Sequence, residues 1–151
     1  MPAIAVVIFF VCVVFWLAVF PPKAPRIFLN HRRAVASIQR LNLAERNYAE
    51  QHPDVGFTCK LSDLAEQGAE PRVGFIDQVL ASGTKSSYHF EIGCTQGQRT
   101  TAYTITAVPT IPGITGQYAF CTNQSGEPWY SENGSTSDCL SQHRPIEQKY
   151  R

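Results

Sequence analysis

The sequence predicts an α+β domain behind an apolar N-terminal segment, and three observations carry that expectation. Residues Pro2 to Phe20 contain no charge, no amide and no glycine. A helical apolar period then covers Pro25 to about Gln51, and a period of two replaces it from Ser87 onward. Helices first and an antiparallel meander afterwards describe one long helix packed on a small antiparallel sheet. The chain's 151 residues leave room for one such domain, residues 23–151, behind an anchor over residues 1–22.

The apolar run of 19 residues matches what a helix needs to cross a bilayer. Phe15, Trp16 and Phe20 suit an interfacial aromatic belt, and Pro21, Pro22 and Pro25 end or kink the helix there. A cleaved secretory signal would want a basic leader, a shorter apolar core and a small-residue cleavage site, so a retained transmembrane anchor is expected. Lys23, Arg26, Arg32 and Arg33 follow the run, and the positive-inside rule taken alone would keep the domain in the cytoplasm. The cysteines argue the opposite. Cys12 lies in the anchor, which leaves Cys59, Cys94, Cys121 and Cys139, an even set in a small loop-rich domain of the kind that oxidising compartments staple. An extracytoplasmic domain is therefore expected.

Val35, Ile38, Leu41 and Tyr48 recur at the spacing of one helical face, with Leu43 and Ala44 beside them. Arg32, Arg33, Arg40, Glu45, Arg46 and Glu50 are expected on the solvent side, and Pro53 ends the helix because the residue before a proline disfavours the α region. Leu61 and Leu64 suggest a short helical turn within Lys60 to Gln67, stopped by Gly68. A second short helix is expected over Val73 to Ala81, burying Phe75, Ile76, Val79 and Leu80. Tyr88 to Ile92 and Ala102 to Val108 alternate and are rich in β-branched and aromatic residues, so they read as a hairpin joined through Gly93 to Arg99. A third strand, Gln117 to Thr122, precedes a turn at Asn123 to Gly126 that leads back to Trp129 and Tyr130. Ser131 to Asp138 and the tail from Gln142 read as polar, mobile segments.

Four cysteines permit three connectivities, and sequence alone does not separate them. Position along the chain favours Cys59, which opens the helical segment, with Cys94, which closes the first strand, and Cys121, which ends the third strand, with Cys139 in the tail that folds back over it. No C-x-x-C pair occurs, which removes zinc ribbons and thioredoxin-like redox centres.

The stretch Pro25 to Tyr48, with its basic start, Leu41-Asn42 step, Ala44-Glu45 and closing tyrosine, resembles the segment of bacterial type IV pilins and type II secretion pseudopilins that leaves the membrane. The similarity continues through Pro53 to Leu64, Ile76 to Gly83 and Gly116 to Gly126. Pro2 to Phe20 lacks the prepilin cleavage motif and the glutamate that such helices carry. The resemblance implies a long N-terminal helix on an antiparallel sheet and a single-pass protein of a bacterial inner membrane, its C-terminal domain periplasmic or extracellular. It also implies a non-enzymatic structural or assembly role in a pilus or secretion system. The partners would be membrane lipid, through the N-terminal helix, and further copies of itself or other pilin-like subunits. The alternative is a membrane-anchored extracytoplasmic binding module that reuses the same fold.

Other chemistry finds little purchase. A net charge of +1 offers no field for nucleic acid, which is not expected as a partner. No G-x-S-x-G, H-E-x-x-H, Walker or G-x-G-x-x-G pattern appears, and His31, His52, His89 and His143 are scattered and expected at the surface or on a strand. No catalytic residue and no cofactor are expected. One weak metal candidate survives, the oxygen-rich set Glu132, Asn133, Ser135 and Asp138, whose ligand chemistry suits calcium and whose position matches a calcium-holding region of some pseudopilins. Tyr118, Phe120, Trp129 and Tyr130 are expected in the core rather than on a recognition patch.

Overall fold

The computed structural model describes residue 6 and residues 9–15, 23–66, 75–95, 97 and 99–146. Residues 9–15 are helical and exposed. Among the described residues no helix is long and apolar enough to cross a membrane. Much of the expected anchor, residues 1–5, 7, 8 and 16–22, lies outside them.

Helix α1 runs Lys23–Gln51 and stops two residues before Pro53. Val35, Ile38 and Leu41 are fully buried, and Tyr48 packs against the core from the edge. Two expectations fail on this helix. His31 and Glu45, placed at the surface by their polarity, are 3% and 0% exposed. Both lie on the apolar stripe: His31 is four residues before Val35, and Glu45 is four after Leu41. Leu43, one position off the stripe, is exposed.

After α1 the chain turns through Gly56, which forms a parallel bridge with Thr100. Phe57 N–H donates to the Thr100 carbonyl at 3.0 Å, and Thr100 N–H donates to the Val55 carbonyl at 2.9 Å. Gly56 has φ +82°, and a Cβ there would meet the Thr100 oxygen at 2.1 Å, so only glycine fits this approach. A single 3₁₀ turn, Leu61–Leu64, follows and buries Leu64. The second helix is much shorter than expected. Only Gln78–Ala81, α2, is helical, because Ile76 bridges to Ala65 and Asp77 caps the helix by accepting from Leu80 N–H at 3.0 Å. Val79 is 58% exposed instead of buried, and residues 73 and 74 of the expected helix lie outside the described residues.

The sheet has five strands in sequential order: β1 Thr84–Lys85, β2 Tyr88–Cys94, β3 Tyr103–Pro109, β4 Ala119–Asn123 and β5 Trp129–Ser131. Every pairing is antiparallel, so the sheet is a meander. The register aligns Phe90, Ala107, Phe120 and Tyr130 in one row across four strands, with Ile92, Ile105 and Thr122 in the next row. Helix α1 lies across β3 and β4. β1 is an addition to the expected strands, and its two-residue turn lacks the Asn-Gly or Asp-Gly pair that would signal it.

The segment after β5 also departs from expectation. Residues Thr136–Gln142 form helix α3, whose N-cap Ser135 accepts from Asp138 N–H, and α3 packs on β4 and β5. The tail continues inward: Pro145 bridges to Trp129 and Ile146 is buried. Residues 147–151 lie outside the described residues.

The cysteines pair as Cys59–Cys94 and Cys121–Cys139, with Cα separations of 5.6 and 6.0 Å. The first ties the loop after α1 to the end of β2, and the second ties α3 to β4. The loops they close span 35 and 18 residues. By the chain-entropy argument the two bridges contribute about 4 and about 3 kcal/mol. Paired serine substitutions should cost about that much in denaturant unfolding of the full chain in detergent micelles. Losses below about 1 kcal/mol for both pairs would mean that the bridges do not carry the domain's stability.

Candidate functional site

The features with functional potential gather on α1, whose two faces differ sharply. Beneath the helix runs a seam of buried polar groups. Tyr103 donates its hydroxyl proton to Asn42 Oδ1 at 2.9 Å, Asn42 Nδ2 donates to Thr122 Oγ1 at 3.1 Å, and Thr122 donates to the Glu127 carbonyl at 2.8 Å. Each member finds a partner, so the seam fixes the helix against β3 and β4 without leaving a group unpaired. Burial and the charge of Glu45 push the Tyr103 hydroxyl up to about 12, partly offset by Arg46, so it remains a donor at any physiological pH.

Glu45 is the exception in this region. Its Oε2 accepts from Thr58 N–H at 3.0 Å, but its Oε1 is buried with no hydrogen-bond partner among the described residues. Burial raises its carboxyl to about 7; the Thr58 bond opposes the rise and the charge of Asp63 adds to it. Thr58 in turn donates to Asp63 Oδ2 at 2.8 Å, so Glu45 is joined through one residue to the loop that carries Cys59. At the other end of the buried face, His31 stacks on Tyr118 with ring centroids 4.8 Å apart and meets Phe120 edge-on at 5.6 Å. Its Nε2 accepts from Gln117 N–H at 3.2 Å, which a protonated ring cannot do. Desolvation lowers its pKa to about 4.

The outward face of α1 is open. Leu29, Ala36 and Leu43 repeat every seven residues along its middle, and all three are exposed. Arg26, Arg33 and Arg40 repeat with the same spacing on one side, and Arg32 and Arg46 flank the other. All five arginines are exposed, and none of them forms an ion pair among the described residues. Between α1 and the β1–β2 turn lies a cavity of about 260 Å³ lined by Arg33, Ala36, Ser37, Arg40, Lys85 and Ser86.

Asn133, Ser135 and Asp138, three of the four residues weighed for calcium, come together at the start of α3. Asn133 Nδ2 donates to Asp138 Oδ2 at 2.6 Å, and Asn133 Oδ1 accepts from Ser135 N–H at 3.0 Å and from the Ser131 hydroxyl. Glu132 turns away and pairs with Arg144 at 3.0 Å. These oxygens are engaged in capping and turn bonds, and among the described residues no group of three or more His, Cys, Asp or Glu side chains is placed to hold a metal. Phe120 and Tyr130 are buried, while Tyr118 and Trp129 are half-buried. His52, His89 and His143 are exposed, as their scatter suggested.

Fold and site together define an α+β domain in which one long helix lies on a five-stranded meander, with two disulfide-linked margins and an open basic helix face. No protein-family model matches the chain, and neither a curated protein nor a solved structure matches it.

His31 and Glu45 give a pH dependence of opposite sign. The raised carboxyl of Glu45 contributes stability that is complete below about pH 4.5 and is lost as pH rises through about 7. The depressed imidazole of His31 contributes stability that is complete above about pH 6.5 and is lost as pH falls through about 4. Between pH 4.5 and 6.5 the folded chain holds its proton on Glu45 and the unfolded chain holds it on His31, so the two slopes cancel. Glu45→Gln should therefore expose a loss of stability toward acid, and His31→Gln a loss toward neutral pH, each with a slope of at most about 1.4 kcal/mol per pH unit. Urea unfolding of the two variants and the unaltered chain across that window measures this. Three parallel profiles would show that neither group titrates on unfolding.

Proposed function

We propose that the chain is a non-enzymatic, pilin-like structural or assembly subunit of a pilus or secretion apparatus. In this reading the apolar run Pro2 to Phe20 holds it in a bacterial inner membrane, and residues 23–151 lie outside the cytoplasm. The observation that carries the proposal is α1 itself. Its 29 residues rise about 43 Å, one face is sealed by the sheet, and the opposite face is left open from Arg26 to Glu50. A helix that begins just after an apolar segment and keeps a free lateral face is what a subunit needs to pack beside others while anchored in lipid. The two disulfide pairs support an oxidising compartment.

Crosslinking in native membranes tests this. In a Cys12→Ser background, Ala36→Cys and Leu43→Cys place a thiol on the open face, and Val79→Cys places one on the exposed side of α2. A ladder of oligomers is expected from the first two after treatment with a thiol-to-amine crosslinker, which joins each single thiol to a neighbour's lysine, and none from the third. A single adduct with a different protein would favour the anchored binding module instead, and equal ladders from all three would remove the helix face from the assembly.

A further inference from the structure

The cavity between α1 and the β1–β2 turn has the chemistry of an oxyanion site, and we infer that it binds a phosphate group. Arg33 and Arg40 stand on its helical wall, and neither guanidinium has a carboxylate partner among the described residues. Lys85 completes the ring of cations from β1. Its ammonium group pairs with Asp77 Oδ2, so three positive groups face one carboxylate and a surplus of two positive charges remains.

Ser37 is the second and independent observation. It is only 6% exposed, it lines the cavity, and its hydroxyl has no hydrogen-bond partner among the described residues. The hydroxyl keeps contact with the solvent of the cavity, so it can donate to an anion placed there.

The opposite wall is held in a demanding conformation. Ser86 and Ser87, the two central residues of the β1–β2 turn, have φ of +51° and +62°. Asn and Gly are the usual occupants of such a turn, and serine in that region costs on the order of 1 kcal/mol. Thr110 secures the turn, donating to the Ser87 carbonyl from its N–H at 3.0 Å and from its hydroxyl at 3.2 Å. Ser86 is thereby fixed at the cavity rim. Strain kept in place beside a polar cavity is the pattern expected where a turn serves binding.

Size and donor count select the ligand. A volume of about 260 Å³ equals roughly eight or nine waters, enough for a phosphate with a small substituent and too little for a peptide segment. A lone carboxylate is satisfied by one bidentate arginine. Two guanidinium forks, an ammonium and two serine hydroxyls offer more donors than two oxygens accept, which fits the greater acceptor capacity of a phosphate. Such a group could come from a soluble ester or from a lipid headgroup. In the anchored reading proposed above, Arg33 lies ten residues beyond Lys23, the start of α1, a helical rise of about 15 Å, whereas a headgroup layer is about 5–7 Å thick. The soluble source is favoured.

Isothermal titration of the full chain in zwitterionic micelles with inorganic phosphate tests the site. Saturable binding is expected, weakened roughly tenfold or more by Arg33→Gln or Arg40→Gln and severalfold by Ser37→Ala. Arg46→Gln removes the same charge from the same helix outside the cavity and should change affinity less than about twofold. Circular dichroism of each variant confirms that it folds. Absence of saturable binding at about 10 mM phosphate would overturn the proposal, as would an equal loss in Arg46→Gln, which would reveal only a diffuse basic surface. Repeating the titration in phosphatidylcholine and phosphatidylglycerol nanodiscs separates the sources. Unchanged affinity in both supports a soluble ligand, and loss only in phosphatidylglycerol supports the same site occupied by a headgroup.

Discussion

Burial of one face of α1 against the middle strands is the constraint from which the rest of the domain follows. The row Phe90, Ala107, Phe120 and Tyr130 would be an apolar stripe in water without the helix above it. Each large side chain so covered is worth about 1.5–3 kcal/mol relative to exposure, more than the net contribution of a typical neutral hydrogen bond, about 0.5–1.5 kcal/mol. Area alone does not say where along its axis the helix should sit. Asn42 supplies that register, because sliding α1 by a turn would separate the Tyr103 hydroxyl from its acceptor and the Asn42 amide from Thr122. Apolar packing holds the layers together, and a single amide chooses their alignment.

The two disulfides act where packing is thin. Helix α3 has seven residues, and Cys139 is its buried one, so it could not persist on its own apolar contacts. The segment from His52 to Leu64 is likewise mostly exposed and touches the core through Phe57, Leu61 and Leu64. One bridge fastens its margin to the end of β2 and the other to the middle of β4. The centre is therefore held by burial and the margins by covalent links, an arrangement suited to a domain too small to bury all its elements.

The sequence made the regular parts legible because period is a strong signal. Val35, Ile38 and Leu41 announced the packed face of α1, and the alternation in Tyr88 to Ile92 and Ala102 to Val108 announced the central hairpin. The misses have physical causes. Polarity outweighed position at His31 and Glu45, although both stand four residues from a buried apolar neighbour. At α2, a run of apolar residues concealed the cap Asp77, which marks a later start. At α3, serine and aspartate read as loop although Ser135 with Asp138 is a capping pair. The β1–β2 turn was invisible because Ser-Ser is not a hairpin signature, and with it went the far wall of the cationic cavity.

The charge pattern of the open face limits how neighbours can cover it. Leu29, Ala36 and Leu43 form a narrow apolar line between rows of arginine. A two-fold contact would lay this face against its own copy and drive those rows together, with like charges partly removed from water. That contact is unfavourable for any modest gain from three exposed apolar residues. A neighbour must instead meet the face with a different surface, either acidic or displaced along the axis. Contacts between unlike surfaces do not close on themselves unless the rotation happens to complete a ring, and otherwise they continue as helical filaments. If copies pack on this face as proposed, the arginine rows argue against a simple dimer and for open-ended packing.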